Sequence, residues 1–232
     1  MKVVITGGSK GMGKAMAMKF VSEGHQVVLT ARTAATLNAA REEVLKSFPL
    51  ASVTVFAGDM SKPADAEKFA AFSMESGVPD VLINNAGSYE PGNCKDGDSS
   101  VLNRMMGVNF YTAYHVTNAF LPAFIKAGKG HIFFSCSIAS LRAYANGGCY
   151  GVSKYALNGF SQNLRLELMS HQIKVTNIYP GAVMSDSWGD FDNSTGRIMV
   201  AEDIAEMVYA ATQLSHQACV EEILIRPQLG DL

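Results

Sequence analysis

After Met1 the chain reads Lys2-Val3-Val4-Ile5-Thr6-Gly7-Gly8-Ser9-Lys10-Gly11-Met12-Gly13, and this stretch decides the fold. An apolar run of strand length passes directly into a glycine cluster, and a helix-compatible stretch, Lys14 to Glu23, follows. Glycines at such a junction let the backbone turn tightly and approach a ligand, while the first helical amides point at a negative charge. A glycine cluster alone is a common strand-to-helix turn. Its place after the first strand of a βαβ unit makes it a pyrophosphate-binding turn of a dinucleotide site, with Gly7, Ser9, Lys10, Gly11 and Met12 as contacts.

Working outward, further apolar runs of strand length fall at Gln26 to Ala31, Ser52 to Ala57, Asp80 to Asn84, Gly130 to Cys136, Lys174 to Tyr179 and Glu222 to Arg226. Their apolar positions are nearly consecutive, as in strands covered on both faces, and the segments between them are long enough for crossover helices. The expected fold class is therefore α/β: a doubly wound Rossmann fold with a seven-stranded parallel sheet and helices on both faces. Right-handed crossovers predict the order 3-2-1-4-5-6, with the seventh strand at the edge. Long helices are expected over Ser99 to Lys126 and Gly148 to His171. No linker or repeat interrupts the chain, so residues 1–232 are read as a single domain, with a substrate loop at about 186–199.

Composition narrows the partners. A formal net charge of -2, without a long Lys/Arg cluster, gives no electrostatic footprint for nucleic acid or an anionic membrane. No apolar run approaches the ~20 residues that span a bilayer, and strand begins too early for a signal peptide. Cys94, Cys136, Cys149 and Cys219 lack zinc-ligand spacing and read as reduced, buried or half-buried thiols, which makes the cytoplasm the expected compartment. His25, His115, His131, His171 and His216 show no metal-ligand pairing, so no metal is expected. Asp186, Asp190 and Asp192 read as a solvated substrate loop in preference to a cation site, with Trp188 and Phe191 as its substrate-facing aromatics.

Two residue sets carry chemistry. At the end of the second strand, where an acidic residue would take free ribose hydroxyls, stands Arg32. Its planar fork of donors suits a 2′-phosphate, and Lys10 adds a second cation unless it is an ordinary surface charge, so NADP(H) is the expected cofactor. Tyr150 and Lys154 stand four residues apart on one helix face. A phenol, ordinarily near pKa ~10, becomes a usable proton donor or acceptor when a neighbouring ammonium and an oxidised nicotinamide stabilise its anion.

The order Thr6-Gly7-x-x-x-Gly11-x-Gly13, Asp59, Asn84-Asn85-Ala86-Gly87, Asn109, Ser137, Tyr150-x-x-x-Lys154 and Pro180-Gly181 resembles the classical short-chain dehydrogenase/reductases over nearly the whole chain. The resemblance implies Tyr150 as general acid in carbonyl reduction, Lys154 as both tuner of that phenol and ribose ligand, and Ser137 as hydrogen-bond donor to the substrate oxygen. It implies Asn109 as holder of a relay water, with a structural amide as the alternative. Asp59 would meet the adenine ring and Met60 add a backbone contact. Asn85, Ala86 and Gly87 would line the cofactor, Asn85 equally well being structural. Pro180, Gly181, Val183 and Ser185 would approach the nicotinamide, Val183 through its backbone.

Carbonyl reduction by NADPH is the leading expectation, and a non-catalytic NADPH-binding sensor or partner-recruiting module on the same fold is the rival. The resemblance also implies a homotetramer, or a homodimer, built on the Asn109 and Tyr150 helices. An apolar stripe of Leu157, Phe160, Leu164 and Leu168 is expected to serve the contact, and the tail Glu222 to Leu232 to join a further one. The natural substrate is not legible.

Overall fold

A computed structural model describes residues 1–185 and 188–231. Seven strands, β1 (Lys2–Thr6), β2 (Gln26–Ala31), β3 (Val53–Ala57), β4 (Val81–Asn84), β5 (Gly130–Ser135), β6 (Ile173–Pro180) and β7 (Glu222–Ile225), form one sheet. Its order is β3-β2-β1-β4-β5-β6-β7, and every pairing is parallel. The expected order is observed.

Alternation along each strand explains the two cores. Val3, Ile5, Val27, Leu29 and Ile83 face one layer, formed by α1 (Gly11–Ser22), α2 (Ala34–Ser47) and α7 (Ala201–Thr212). Their neighbours Val4, Val28, Leu82, Ile132 and Phe134 face the other, formed by α3 (Pro63–Met74), α5 (Thr112–Ala127) and α6 (Gly148–Leu168). Burial on both faces is why the strands read as continuous apolar runs.

The expected helix over Ser99 to Lys126 is α4 (Ser99–Met106) and α5 joined by a π-helical segment, Gly107–Tyr111. Asn109 lies in that π-helical turn and is fully buried. α6 continues through a short 3-10 turn to His171, as expected. All strands end at one sheet edge, and the loops beyond β1, β4, β5 and β6 meet there around a cleft of about 1310 Å³.

The cysteines depart from expectation. Only Cys136 is buried and Cys149 is half-buried, whereas Cys94 and Cys219 lie in exposed loops. No helix among the described residues is long and apolar enough to cross a membrane.

Candidate functional site

The glycine turn is shaped by close packing. Gly7 has φ +67, and a Cβ there would stand 2.8 Å from the Ala86 Cα. At Gly13 a Cβ would overlap the Gly7 carbonyl and stand 2.6 Å from Asn85 Nδ2, so α1 can start against the turn only without a side chain. The first turn of α1 holds no acidic residue and has no side-chain cap, leaving its amides for an anion.

Thr6 and Asn85 tie β1 to β4. Thr6 Oγ1 accepts from the amides of Asn85 and Ala86 at 3.0 Å, and Asn85 Nδ2 donates to the Thr6 and Gly7 carbonyls. Asn85 thus has the structural role left open above, at the cleft wall. Farther out, Asp59 Oδ1 accepts from the Ser61 amide and hydroxyl, which with nearby Lys62 and Arg32 holds its carboxyl below the usual range. Arg32 is exposed beside it, with Thr33 and Thr36 also on the cleft wall.

At the inner end α6 presents Tyr150 and Lys154. Lys154 is 5% exposed, its Nζ donates to the Ser135 carbonyl at 2.7 Å, and it stands 5.8 Å from the Tyr150 ring centroid. Burial lowers the Lys154 ammonium to about 8, still protonated at neutral pH. Burial also raises the Tyr150 phenol, partly offset by a hydrogen bond with Ser137.

Ser137 caps the 3-10 turn Ile138–Ser140, its Oγ accepting from the Ala139 amide and its own amide donating to Ser140 Oγ, both at 3.1 Å. Ser135 also lines the cleft, its hydroxyl donating to Asn85 Oδ1 at 3.4 Å. Behind them, Asn109 Oδ1 accepts from the Ser88 amide at 2.8 Å, and Nδ2 donates to the Ser88 carbonyl at 3.0 Å and Ser153 Oγ at 2.9 Å. Ser153 in turn donates to the Tyr150 carbonyl at 2.7 Å. Asn109 therefore connects the loop after β4 to the turn of α6 that carries Tyr150.

The model of the short chain dehydrogenase family matches residues 1–195. This chain belongs to the short-chain dehydrogenases. The sepiapterin reductase of Chlorobaculum tepidum is 30% identical, over 99% of this chain and 97% of its own. A metagenomic short-chain oxidoreductase solved with NADP is 31% identical, with a TM-score of 0.85 over 98% of this chain and 97% of that one. The alcohol dehydrogenase of Thermococcus sibiricus, solved with 5-hydroxy-NADP, is 25% identical, with a TM-score of 0.90 over 98% and 96%. The chain is an oxidoreductase of this family.

In this short-chain dehydrogenase all the residues expected to hold cofactor line the one cleft: Gly7, Ser9, Lys10, Gly11, Met12, Arg32, Asp59, Met60, Asn85, Ala86, Gly87, Tyr150, Lys154, Pro180, Gly181, Val183 and Ser185. Ser137 joins them, whereas Asn109 does not reach the wall. The Val183 carbonyl accepts from Trp188 Nε1 at 3.0 Å, which leaves its amide as the group available to a ligand. Trp188 lines the cleft and Phe191 packs behind it, ring centroids 5.2 Å apart. Asp192 accepts from the Ser194 amide and hydroxyl, and Asp186 lies outside the described residues. Among the described residues no group of three or more His, Cys, Asp or Glu side chains could hold a metal.

Several wall residues belong to none of the motifs quoted above. The Tyr89 ring meets Tyr150 edge-on at 5.1 Å, and Tyr144 stands beside both, its phenol raised by burial. Arg142, Arg226 and Asp231 also line the cleft. The tail borders its own cleft: the Gly181 amide donates to the Ile225 carbonyl at 2.8 Å, and Arg197 donates to the carbonyls of Gly230 and Asp231. Leu224 and Leu229 are exposed, and Leu232 lies outside the described residues.

Proposed function

We propose that this short-chain dehydrogenase reduces a small carbonyl compound to an alcohol, with NADP(H) as cofactor and Tyr150 as general acid. The observation that supports it best is the gathering of Ser137, Tyr150 and Lys154 at the inner end of a cleft whose outer end carries Arg32 and Lys10. That volume exceeds the roughly 300–1,000 Å³ of ordinary small-ligand pockets, as a dinucleotide requires. Glycine-packed amides take the pyrophosphate, and Arg32 with Lys10 takes the 2′-phosphate. When bound, NADPH supplies the hydride.

The residues of this chain do the remaining work. Tyr150 is a neutral phenol at neutral pH, the form a proton donor needs, and delivers its proton to the carbonyl oxygen. Ser137, fixed by its cap, donates to the same oxygen as negative charge develops there. Lys154 commits one donor to Ser135 and gives the others to the nicotinamide ribose, so one ammonium orients the cofactor beside the acid. Asn109 is a positioning residue: its amide is committed to Ser88 and Ser153, and it sets the loop after β4 and the Tyr150 turn of α6.

Residues 1–232 act as one catalytic domain in the cytoplasm, with the loop at about 186–199 over the substrate. A homotetramer, or a homodimer, is supported by exposed side chains on the outer helices. Leu157, Leu164 and Leu168 are buried in the chain's own core and Phe160 packs against it, so that stripe is not the contact. Tyr111, Tyr114, Val152, Tyr155 and Leu166 are the exposed candidates. NADPH oxidation monitored over a panel of ketones, aldehydes and 3-oxoacyl thioesters tests the reductase reading. Tight NADPH binding with no turnover on any of them would favour the idle sensor.

A further inference from the structure

Among the described residues, the part of the cleft wall formed by the Ser137 turn and the tail carries two guanidiniums and one carboxylate. Arg142 and Arg226 share a single carboxylate, Asp231. Arg226 Nε donates to Asp231 Oδ2 at 2.8 Å, whereas Arg142 reaches the same oxygen only at 3.8 Å and keeps a side chain 62% exposed. Arg197 grips the carbonyls of Gly230 and Asp231, and the Asp231 side chain packs against Gly181, so the tail is anchored where it stands. Asp231 is thus held by Arg226, and Arg142 is left with a partner at the limit of an ion pair.

Among the described residues, the rest of the cleft wall offers Arg142 no better partner. Among the described residues that line it, the only other carboxylate is Asp59, which is bonded to Ser61 beside Arg32 at the opposite end. Arg142 itself follows the 3-10 turn that Ser137 caps, its amide donating to the Ile138 carbonyl at 3.3 Å. Its backbone is therefore set by the same turn that sets Ser137. A guanidinium in this position presents donors suited to a planar carboxylate.

We propose that Arg142 is a specificity-determining residue that selects an oxo acid: it takes the carboxylate of the substrate in place of its long contact with Asp231, while the carbonyl meets Ser137 and Tyr150. This rests on the carbonyl-reduction reading above and adds to it the charge of the substrate. No covalent step beyond that reduction is involved.

The test measures binding and turnover separately. Calorimetry on the NADP⁺-loaded protein compares 3-oxobutanoate with its methyl ester, since oxidised cofactor cannot reduce either. The acid is expected to bind roughly tenfold or more tightly than the ester, the range of a charge-assisted hydrogen bond. In Arg142→Gln that ratio falls toward one, and in Arg142→Lys part of it survives because the charge remains. Thermal unfolding of each variant with NADP⁺ shows that the fold is retained. Equal binding of acid and ester, no binding of either, or a ratio unchanged in Arg142→Gln would overturn the proposal. NADPH oxidation then separates the two readings: an acid that binds through Arg142 and is never reduced refutes carbonyl reduction of this compound class alone. An ester reduced as efficiently as the acid refutes the role of Arg142 alone.

Discussion

Gly13→Ala tests the link between local packing and cofactor binding. The added methyl meets backbone on one side, the Gly7 carbonyl, and on the other the Asn85 amide at 2.6 Å, roughly an ångström inside ordinary contact. Asn85 Nδ2 donates to the Thr6 carbonyl at 3.2 Å and the Gly7 carbonyl at 3.3 Å, so relief by moving Asn85 sacrifices both bonds. Overpacking costs about 1–3 kcal/mol and each of the two lost bonds about 1 kcal/mol, for a total of about 3–5 kcal/mol. In a chain of this size that lowers Tm by about 6–20 °C. Because the displaced backbone is the turn proposed to hold the pyrophosphate, NADPH affinity is expected to fall about tenfold or more. Gly24→Ala is the control: φ is +77 with nothing within 4 Å of the new methyl, so only backbone strain of about 1 kcal/mol applies and NADPH affinity stays put. Circular dichroism melts and calorimetric NADPH titrations read both quantities. A Gly13→Ala protein that melts within 2 °C of wild type, on the order of the assay's resolution, and binds NADPH normally would refute the packing argument.

Arg32→Asp is expected to weaken NADPH and improve NADH, since a carboxylate repels the 2′-phosphate and accepts from free ribose hydroxyls; unchanged selectivity on titration would move that role to Lys10 or the threonines of the same wall. His131, buried with its Nε2 2.7 Å from Thr176 Oγ1, has its pKa lowered from 6.5 to about 3 by burial. The unfolded chain therefore takes up this proton first, and stability falls as pH drops below 6.5 by about 1.4 kcal/mol per unit from this residue. Urea unfolding of His131→Gln between about pH 6 and 4 should show a correspondingly flatter slope, and parallel slopes would dispose of the argument. Light scattering at micromolar concentration is expected to return a multiple of the 24.8 kDa chain mass, and a monomer would refute the assembly.

What the sequence reveals follows from what is local in it. Strand order was readable because both sheet faces are covered, which leaves continuous apolar runs such as Val3 to Ile5, and because crossovers have one hand. The cleft was readable because its parts sit at strand ends: the glycine turn, Arg32, Asp59 and the Asn84 to Gly87 segment. The π-helical turn at Asn109 was not, since its register answers to bonds with Ser88 and Ser153 that no periodicity encodes. The stripe on α6 was misassigned for a related reason. Spacing says that Leu157, Leu164 and Leu168 share a face, but not whether the sheet or another subunit covers it. Arg142, Arg226 and Asp231 come from two distant segments, and only the folded tail brings them together.

The account stands on Tyr150 as the proton donor. Tyr150→Phe keeps the ring edge-on to Tyr89 and leaves the Lys154–Ser135 bond in place, so the cleft and helix persist while the phenolic proton is gone. The most direct measurement is single-turnover NADPH oxidation by this variant with the best carbonyl from the panel, beside an NADPH titration of the same sample. Turnover is expected to fall about a hundredfold or more, with NADPH affinity within a factor of about two. Turnover within a few-fold of wild type, at unchanged affinity, would contradict it.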